Sequence, residues 1–225
     1  MLKIKEQPKA DGASIGPKTP SLITDGSIAG TSFQRMEPNA RRRLIVSVQG
    51  QEKTGKTHFA LTAPGPIAFQ DIDIGTEGVV DKPEFAGKEI HLAEYALDFP
   101  FEQKTAEQAW KQFLNDYKGQ LGSTVRTAII DNATEMWDLM RVAKFGRLTQ
   151  VLPHLYATVN SEFRGMLRLA YKSDVNLILV HKVKKEYINE QWNGKYERSG
   201  FNDIGYLVQV MVETYKEGGK WFVRV

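Results

Sequence analysis

Eight consecutive residues, Gly50-Gln51-Glu52-Lys53-Thr54-Gly55-Lys56-Thr57, are spaced to hold a polyphosphate. They read G-x-x-x-x-G-K-T and follow the apolar run Leu44-Ile45-Val46-Ser47-Val48. A buried strand running into a glycine-rich turn is the setting such a loop requires. Gly50 and Gly55 permit a tight backbone path, so that successive N–H groups converge on β- and γ-phosphates. Lys56 adds a point charge there, and the Thr57 hydroxyl is placed to ligate Mg²⁺. A helix starting near Lys56 turns its positive end toward the same anion. The loop, with His58 directly after it, is the expected cofactor-binding segment, and ATP with Mg²⁺ is the expected cofactor. An accidental glycine turn explains neither the strand nor the Lys-Thr pair.

A magnesium site on such a loop needs a second, acidic group, which usually ends an apolar strand adjacent to the first. Thr127-Ala-Ile-Ile-Asp131 fits, with one carboxylate at the carboxyl end of a strand, where α/β ligands bind. Asp131 is therefore expected beside Thr57; the competing reading is a cap for the helix that comes next. Hydrolysis also needs a carboxylate to orient or deprotonate water. Ile67-Ala-Phe-Gln-Asp71-Ile-Asp73 delivers two acids, with Glu77 just beyond. Strand alternation puts Asp71 and Asp73 on one face, with Asp73 nearer the nucleotide edge. The order of candidates for the base is then Asp73, Glu77, Asp71, against the reading of 73–78 as a polar turn. Leu177-Ile-Leu-Val-His181 ends another strand in an imidazole, which can donate to a γ-phosphate and act as its sensor. His91 and His154 have no such placement.

Alternating strands and helices must position these groups. Strands are expected over 44–48, 67–72, 89–92, 127–130 and 175–180, and a terminal hairpin over 207–215 and 220–225 around Gly218-Gly219. Thr105-Ala-Glu-Gln108 has capping-box character and opens a helix with Ala109, Trp110, Phe113, Leu114 and Tyr117 on one side. Gly119 and Gly122 end it, and two more helices are expected over 135–145 and 155–171. The fold class is α/β: a mostly parallel central sheet flanked by helices, ending in an antiparallel hairpin. Residues 1–38, with scattered Pro and Gly and no apolar period, read as a flexible arm ahead of a domain over 39–225. Within that arm the cluster around Phe33 is either a handle for a neighbouring subunit or a solvated tail.

Bulk composition agrees with one globular domain. The chain has 225 residues, 41% hydrophobic and 25% charged, enough for an ordinary core. Absence of cysteine removes disulfides, cysteine-ligated zinc and thiol nucleophiles from consideration. No apolar run approaches the roughly 18 residues that span a bilayer. The expected location is cytoplasmic, without membrane association. A net charge of +3 permits nucleic-acid binding without arguing for it.

Taken in order, these parts resemble the RecA-like P-loop ATPase core, most closely the phage recombination ATP-binding proteins of the Sak single-strand annealing type. Four segments of residues 40–225 carry the resemblance: the loop at 50–57, Ile67–Asp73, Thr127–Asp131, and Leu177–His181 with the segment beyond it. The family's catalytic glutamate is matched by Asp73, shorter by one methylene, and its usual sensor glutamine by His181. The resemblance implies an ATPase that assembles as rings or filaments and binds single-stranded DNA through the loop after the sensor strand. Here that loop, residues 182–200, holds Lys182, Lys184, Lys185, Lys195 and Arg198 among Tyr187, Trp192 and Tyr196. Aromatic faces stack bases while the cations track phosphates. The segment also reads as a β-hairpin with its turn at Asn193-Gly194, and both readings can hold together. Arg141, Lys144 and Arg147 lie where the family's other DNA loop sits, or on a solvated helix face. Lys216, Lys220 and Arg224 are candidates for the basic residue that reaches a neighbouring subunit's nucleotide. Two other readings stand: a small-molecule kinase, disfavoured by the single arginine in 182–200, and a partner protein in DNA packaging or replication that ATP switches without hydrolysis.

Overall fold

The computed structural model of the chain describes residues 23–24, 27–28, 31–33, 43–73, 75–95, 102–147 and 152–225. The chain divides into two compact units, Met1–Arg41 and Arg42–Val225. In the first, β1 (Ile23–Thr24) pairs antiparallel with β2 (Ser27–Ile28), and Phe33 is exposed. The remainder of the arm expected over 1–38 lies outside the described residues.

In the second unit the chain runs β3 (Ile45–Gly50), α1 (Lys56–Leu61), β4 (Ile67–Asp71), β5 (Ile90–Glu94), α2 (Gln103–Leu121), β6 (Thr127–Asp131) and α3 (Ala133–Phe145). It continues through α4 (Tyr156–Tyr171), β7 (Asn176–His181), β8 (Val183–Ile188), β9 (Gln191–Arg198), β10 (Val210–Glu217) and β11 (Lys220–Arg224). Seven strands form one sheet in the order β11-β10-β3-β7-β6-β4-β5. Every neighbouring pair is parallel except β10 and β11, which close the sheet as the expected antiparallel hairpin. Contrary to the expectation from sequence, the strand carrying Asp131 is not adjacent to the loop strand. β7 returns between them and pairs with both.

Strand alternation decides which face each side chain joins. Leu177, Leu179, Ala128 and Ile130 pack with Trp110, Phe113, Tyr117, Met136, Leu139 and Phe163 under α2, α3 and α4. Their alternates Ile178, Val180, Ile129, Val46 and Val48 pack with Ala60 and Leu61 of α1 and with Phe85 on the opposite face. Both faces are thus apolar, which is why the central strands read as continuous hydrophobic runs. Among the buried polar groups on this side, Gln70 is fully paired. Gln70 Nε2 donates to the Tyr95 hydroxyl (2.8 Å) and the Phe113 carbonyl (3.2 Å), and Gln70 Oε1 accepts from Gln120 Nε2 (2.8 Å).

Two local expectations need correction. Helix α2 opens at Gln103, and Thr105 lies inside it; no side chain caps it, and Gln103 instead reaches the Ala143 carbonyl of α3. Tertiary contact has overridden the local cap. The β8–β9 hairpin turns at Asn189-Glu190, both left-handed (φ 50° and 64°), rather than at Asn193-Gly194. Positive φ at both central residues suits a two-residue hairpin turn. Gly194 (φ 83°) lies instead in a bulge, where Asn193, Gly194 and Lys195 oppose Glu186.

Candidate functional site

The loop at 50–57 is tied to strand β10 by a residue that no sequence motif singles out. A Cβ at Gly50 would lie 2.4 Å from the Thr214 carbonyl oxygen and 2.5 Å from its hydroxyl, so only glycine fits. The Thr214 and Thr54 hydroxyls share a hydrogen bond of 2.8 Å, and Thr54 Oγ1 also donates to the Gln51 carbonyl at 2.8 Å. Gly55 takes φ 89° at the entry to α1. Lys56 Nζ bridges the loop by donating to the Gln51 carbonyl at 2.8 Å. Burial lowers the Lys56 pKa, with Asp131 and Glu52 opposing and Lys182 adding to the shift.

Asp131 continues the alternation of Ile129 onto the face of α1, and this brings it across β7 to the loop. Thr57 Oγ1 donates to Asp131 Oδ2 at 2.6 Å. Burial pushes the Asp131 carboxyl up to about 6; the Thr57 hydrogen bond opposes this, and Asp71 reinforces it. The helix cap after this strand is Asn132, whose Oδ1 accepts the Glu135 N–H at 2.7 Å, so Asp131 is left free for the loop. One hydroxyl and one carboxylate are the donor set that suits Mg²⁺, which keeps waters and phosphate oxygens as its other ligands. Among the described residues no cluster of three or more His, Asp or Glu forms a closed cage for a metal.

The three acids after β4 have separate fates. Asp71 is buried and accepts from the Asp73, Gly75 and Thr76 N–H groups (3.1, 3.2 and 3.1 Å) and from the Thr76 hydroxyl (2.7 Å), which shapes the turn. Its lone pairs are used, so it is not a free base. Asp73 lies past the strand end, where Oδ2 accepts from Asn132 Nδ2 at 3.0 Å and pairs with Lys182 Nζ at 3.0 Å. Glu77 is exposed beyond the turn and makes no polar contact with this cluster. Lys182 Nζ also pairs with Glu135 Oε1 at 2.7 Å; burial works against its charge, but these two carboxylates raise its pKa.

His181 differs from its expected setting. It continues the Leu177 and Leu179 row toward α3, away from α1, and is fully buried. Neither ring nitrogen has a hydrogen-bond partner. Burial drives its pKa down to about 3, helped by the Arg198 charge; the Ser199 backbone, near the ring but without hydrogen-bond geometry to it, opposes the shift least of the three. The imidazole is neutral and lines neither of the cavities beside the loop. At the β7 end it is the next residue, Lys182, that faces the acids.

The model of an AAA domain family matches residues 42–215, most of the chain. The chain belongs to the AAA domain family. The sheet that carries the 50–57 loop is therefore a P-loop ATPase core. No curated protein matches the chain.

Two surfaces of this AAA domain adjoin the loop. One is a cleft of about 650 Å³ between α1 and β11, with Phe59, Val79, Trp221, Phe222 and His58 among its walls. Its size suits a nucleoside. Trp221 is 63% exposed, and its Nε1 lies 3.4 Å from the Lys53 carbonyl of the loop. His58 lies beside Phe85, and its Nδ1 is 3.4 Å from Lys82 Nζ.

The other surface is the β8–β9 hairpin. Cross-strand register pairs Tyr187 with Trp192 and Lys185 with Tyr196, so all four share one face. The bulge adds two residues to β9, which keeps the alternation in phase. Tyr187, Trp192 and Tyr196 are exposed, and Lys185 Nζ sits 4.9 Å from the Trp192 ring centre. Lys184 is paired with Glu197 at 3.2 Å, and Lys195 donates its N–H to Asn193. Arg198 is drawn in to the Asn202 carbonyl (2.9 Å), and burial lowers its pKa. Of the other basic candidates, Lys144 is tied to Glu162 (2.9 Å) and Arg141 to Asp138 (3.4 Å). Lys216 covers the Trp221 ring and Arg224 pairs with Glu213, whereas Lys220 is exposed at the hairpin turn.

Proposed function

We propose that this AAA domain binds MgATP at the 50–57 loop, hydrolyses it, and uses the cycle to control its hold on single-stranded DNA in phage-type recombination or annealing. One observation carries the reading: an exposed aromatic and basic hairpin grows directly out of the strand whose end meets the phosphate-site acids. Base stacking on such a face tolerates any sequence, since every base has a π-face.

Loop N–H groups and Lys56 hold the phosphates, and Thr57 with Asp131 would hold Mg²⁺. When bound, that ion neutralises charge developing on the phosphate oxygens. The base and ribose enter the cleft against Trp221 and Phe222. Asp73 orients a water on the γ-phosphorus and takes its proton as the new P–O bond forms. The bond to ADP then breaks, with the electron pair leaving on the β-phosphate oxygen. By analogy with the resembled ATPases the working form is a homo-oligomer, and Lys220 is the cation freest to reach a neighbouring subunit's nucleotide.

The test is nucleotide binding and hydrolysis by two variants. Lys56→Ala is expected to lose ATP binding, because the phosphate charge goes uncompensated. Asp73→Asn is expected to retain binding and lose turnover by about 10²-fold or more, the scale of a missing general base. Unchanged turnover in Asp73→Asn would transfer the base role to Glu77.

A further inference from the structure

We propose that Lys182 is a latch on hydrolysis: its ammonium pairs with the Asp73 carboxylate that serves water, and single-stranded DNA on the β8–β9 hairpin withdraws it. The inference rests on the reading of Asp73 as base and of the hairpin as DNA-binding. It adds the physical link between them.

Lys182 is the single residue between β7 and β8, so it belongs at once to the core sheet and to the root of the hairpin. Its backbone is clamped there. The Lys182 N–H donates to Thr134 Oγ1 at 3.1 Å, and its carbonyl accepts the Ser199 N–H at 2.9 Å. The Thr134 hydroxyl in turn donates to the Ser199 carbonyl at 3.2 Å. Both hairpin strands are thereby pinned to the first turn of α3. Gly200 follows at once with φ 99°, a left-handed backbone that favours glycine, beside the Thr134 backbone.

The Lys182 side chain lies in the same turn. Its Nζ is 3.0 Å from Asp73 Oδ2 and 2.7 Å from Glu135 Oε1. Asn132 Nδ2 donates to the same Asp73 oxygen at 3.0 Å. Two donors therefore occupy Oδ2, and both must be shared or displaced before that oxygen can accept from water. Asn132 and Glu135 belong to the α3 cap, so displacement of the hairpin root against α3 changes how far Lys182 can reach. The pair is also exchangeable, because Lys182 and Asp73 side chains are 41% and 45% exposed, and half-solvated ion pairs are weak. Phosphates arriving at Lys184 and Lys185, two and three residues along β8, would compete with the carboxylates for the Lys182 ammonium. Release of Lys182 uncovers Asp73.

The experiment measures steady-state hydrolysis by the full chain at saturating MgATP, with and without oligothymidylate. Lys182→Ala is expected to raise the DNA-free kcat about fivefold, the scale of one exposed ion pair. Its KM for ATP should stay within about twofold, and added oligothymidylate should stimulate it less than wild type. Lys182→Met, which keeps the aliphatic stem, should match Lys182→Ala, and Lys182→Arg should restore the low rate and the stimulation. A DNA-free kcat in Lys182→Ala equal to or below wild type, with Asp73→Asn inactive, overturns the latch alone. Turnover surviving in Asp73→Asn overturns the base assignment and the latch with it.

Discussion

Residue type and residue setting diverge most sharply at His181. An imidazole ending a strand beside a phosphate loop suggests a sensor, yet alternation with Leu177 and Leu179 turns it toward α3 and buries it without partners. Whether a strand-end residue faces α1 or α3 depends on parity, and parity is fixed by packing that a motif does not contain. Burial has a measurable consequence. The folded pKa of about 3 lies below the ordinary value of 6.5, so the unfolded chain binds one more proton in the window between them. Stability from this group is complete above pH 6.5 and is lost as pH falls toward 3. Relative to wild type, His181→Leu should flatten the slope of unfolding free energy against pH by about 1.4 kcal/mol per unit between pH 6 and 4. Urea titrations of the nucleotide-free protein test this, and parallel curves for the two proteins would contradict it. Near pH 7 the substitution should be close to neutral, because it removes two unpaired polar atoms together.

Elements were legible wherever the signal was contiguous. The loop with its preceding strand, the strand ending at Asp131, and the terminal β10–β11 hairpin all declare themselves within short windows. Partners far apart in the chain do not. Thr214 meets Gly50 and Thr54 across some 160 residues, and nothing in β10 distinguishes it from any other strand threonine. The β8–β9 turn illustrates the opposite failure: Asn193-Gly194 is the stronger local signal, but the root hydrogen bond from Ser199 to the Lys182 carbonyl, together with the bulge in β9, puts the turn four residues earlier. That earlier turn is what brings Tyr187 opposite Trp192 and Lys185 opposite Tyr196 on a common face. The element-scale prediction concerns this face. Trp192→Ala should weaken oligothymidylate binding by about 1–3 kcal/mol, the value of one stacked base, and leave DNA-free ATP hydrolysis intact. Fluorescence anisotropy of a labelled oligonucleotide measures it; unchanged affinity would reduce the hairpin to a structural element.

At the scale of the whole molecule, the order β3-β7-β6 explains why chemistry and surface converge. The loop strand and the Asp131 strand flank β7, so the residue leaving β7 emerges between the phosphate site and the acids. The chain then continues at once into the hairpin, with no intervening linker. Anything that moves the hairpin root therefore acts within one residue of the Asp73 pair, which is the short path that the proposed DNA coupling would use. Sequence alone placed the loop strand and the acid strand side by side, because crossover connections do not reveal which strand fills the gap. The most direct test of the account is the ATP hydrolysis rate of the purified protein with and without single-stranded oligothymidylate, using Lys56→Ala as the blank. Stimulation by the oligonucleotide, absent in Lys56→Ala, is the predicted result; turnover indifferent to DNA would contradict it.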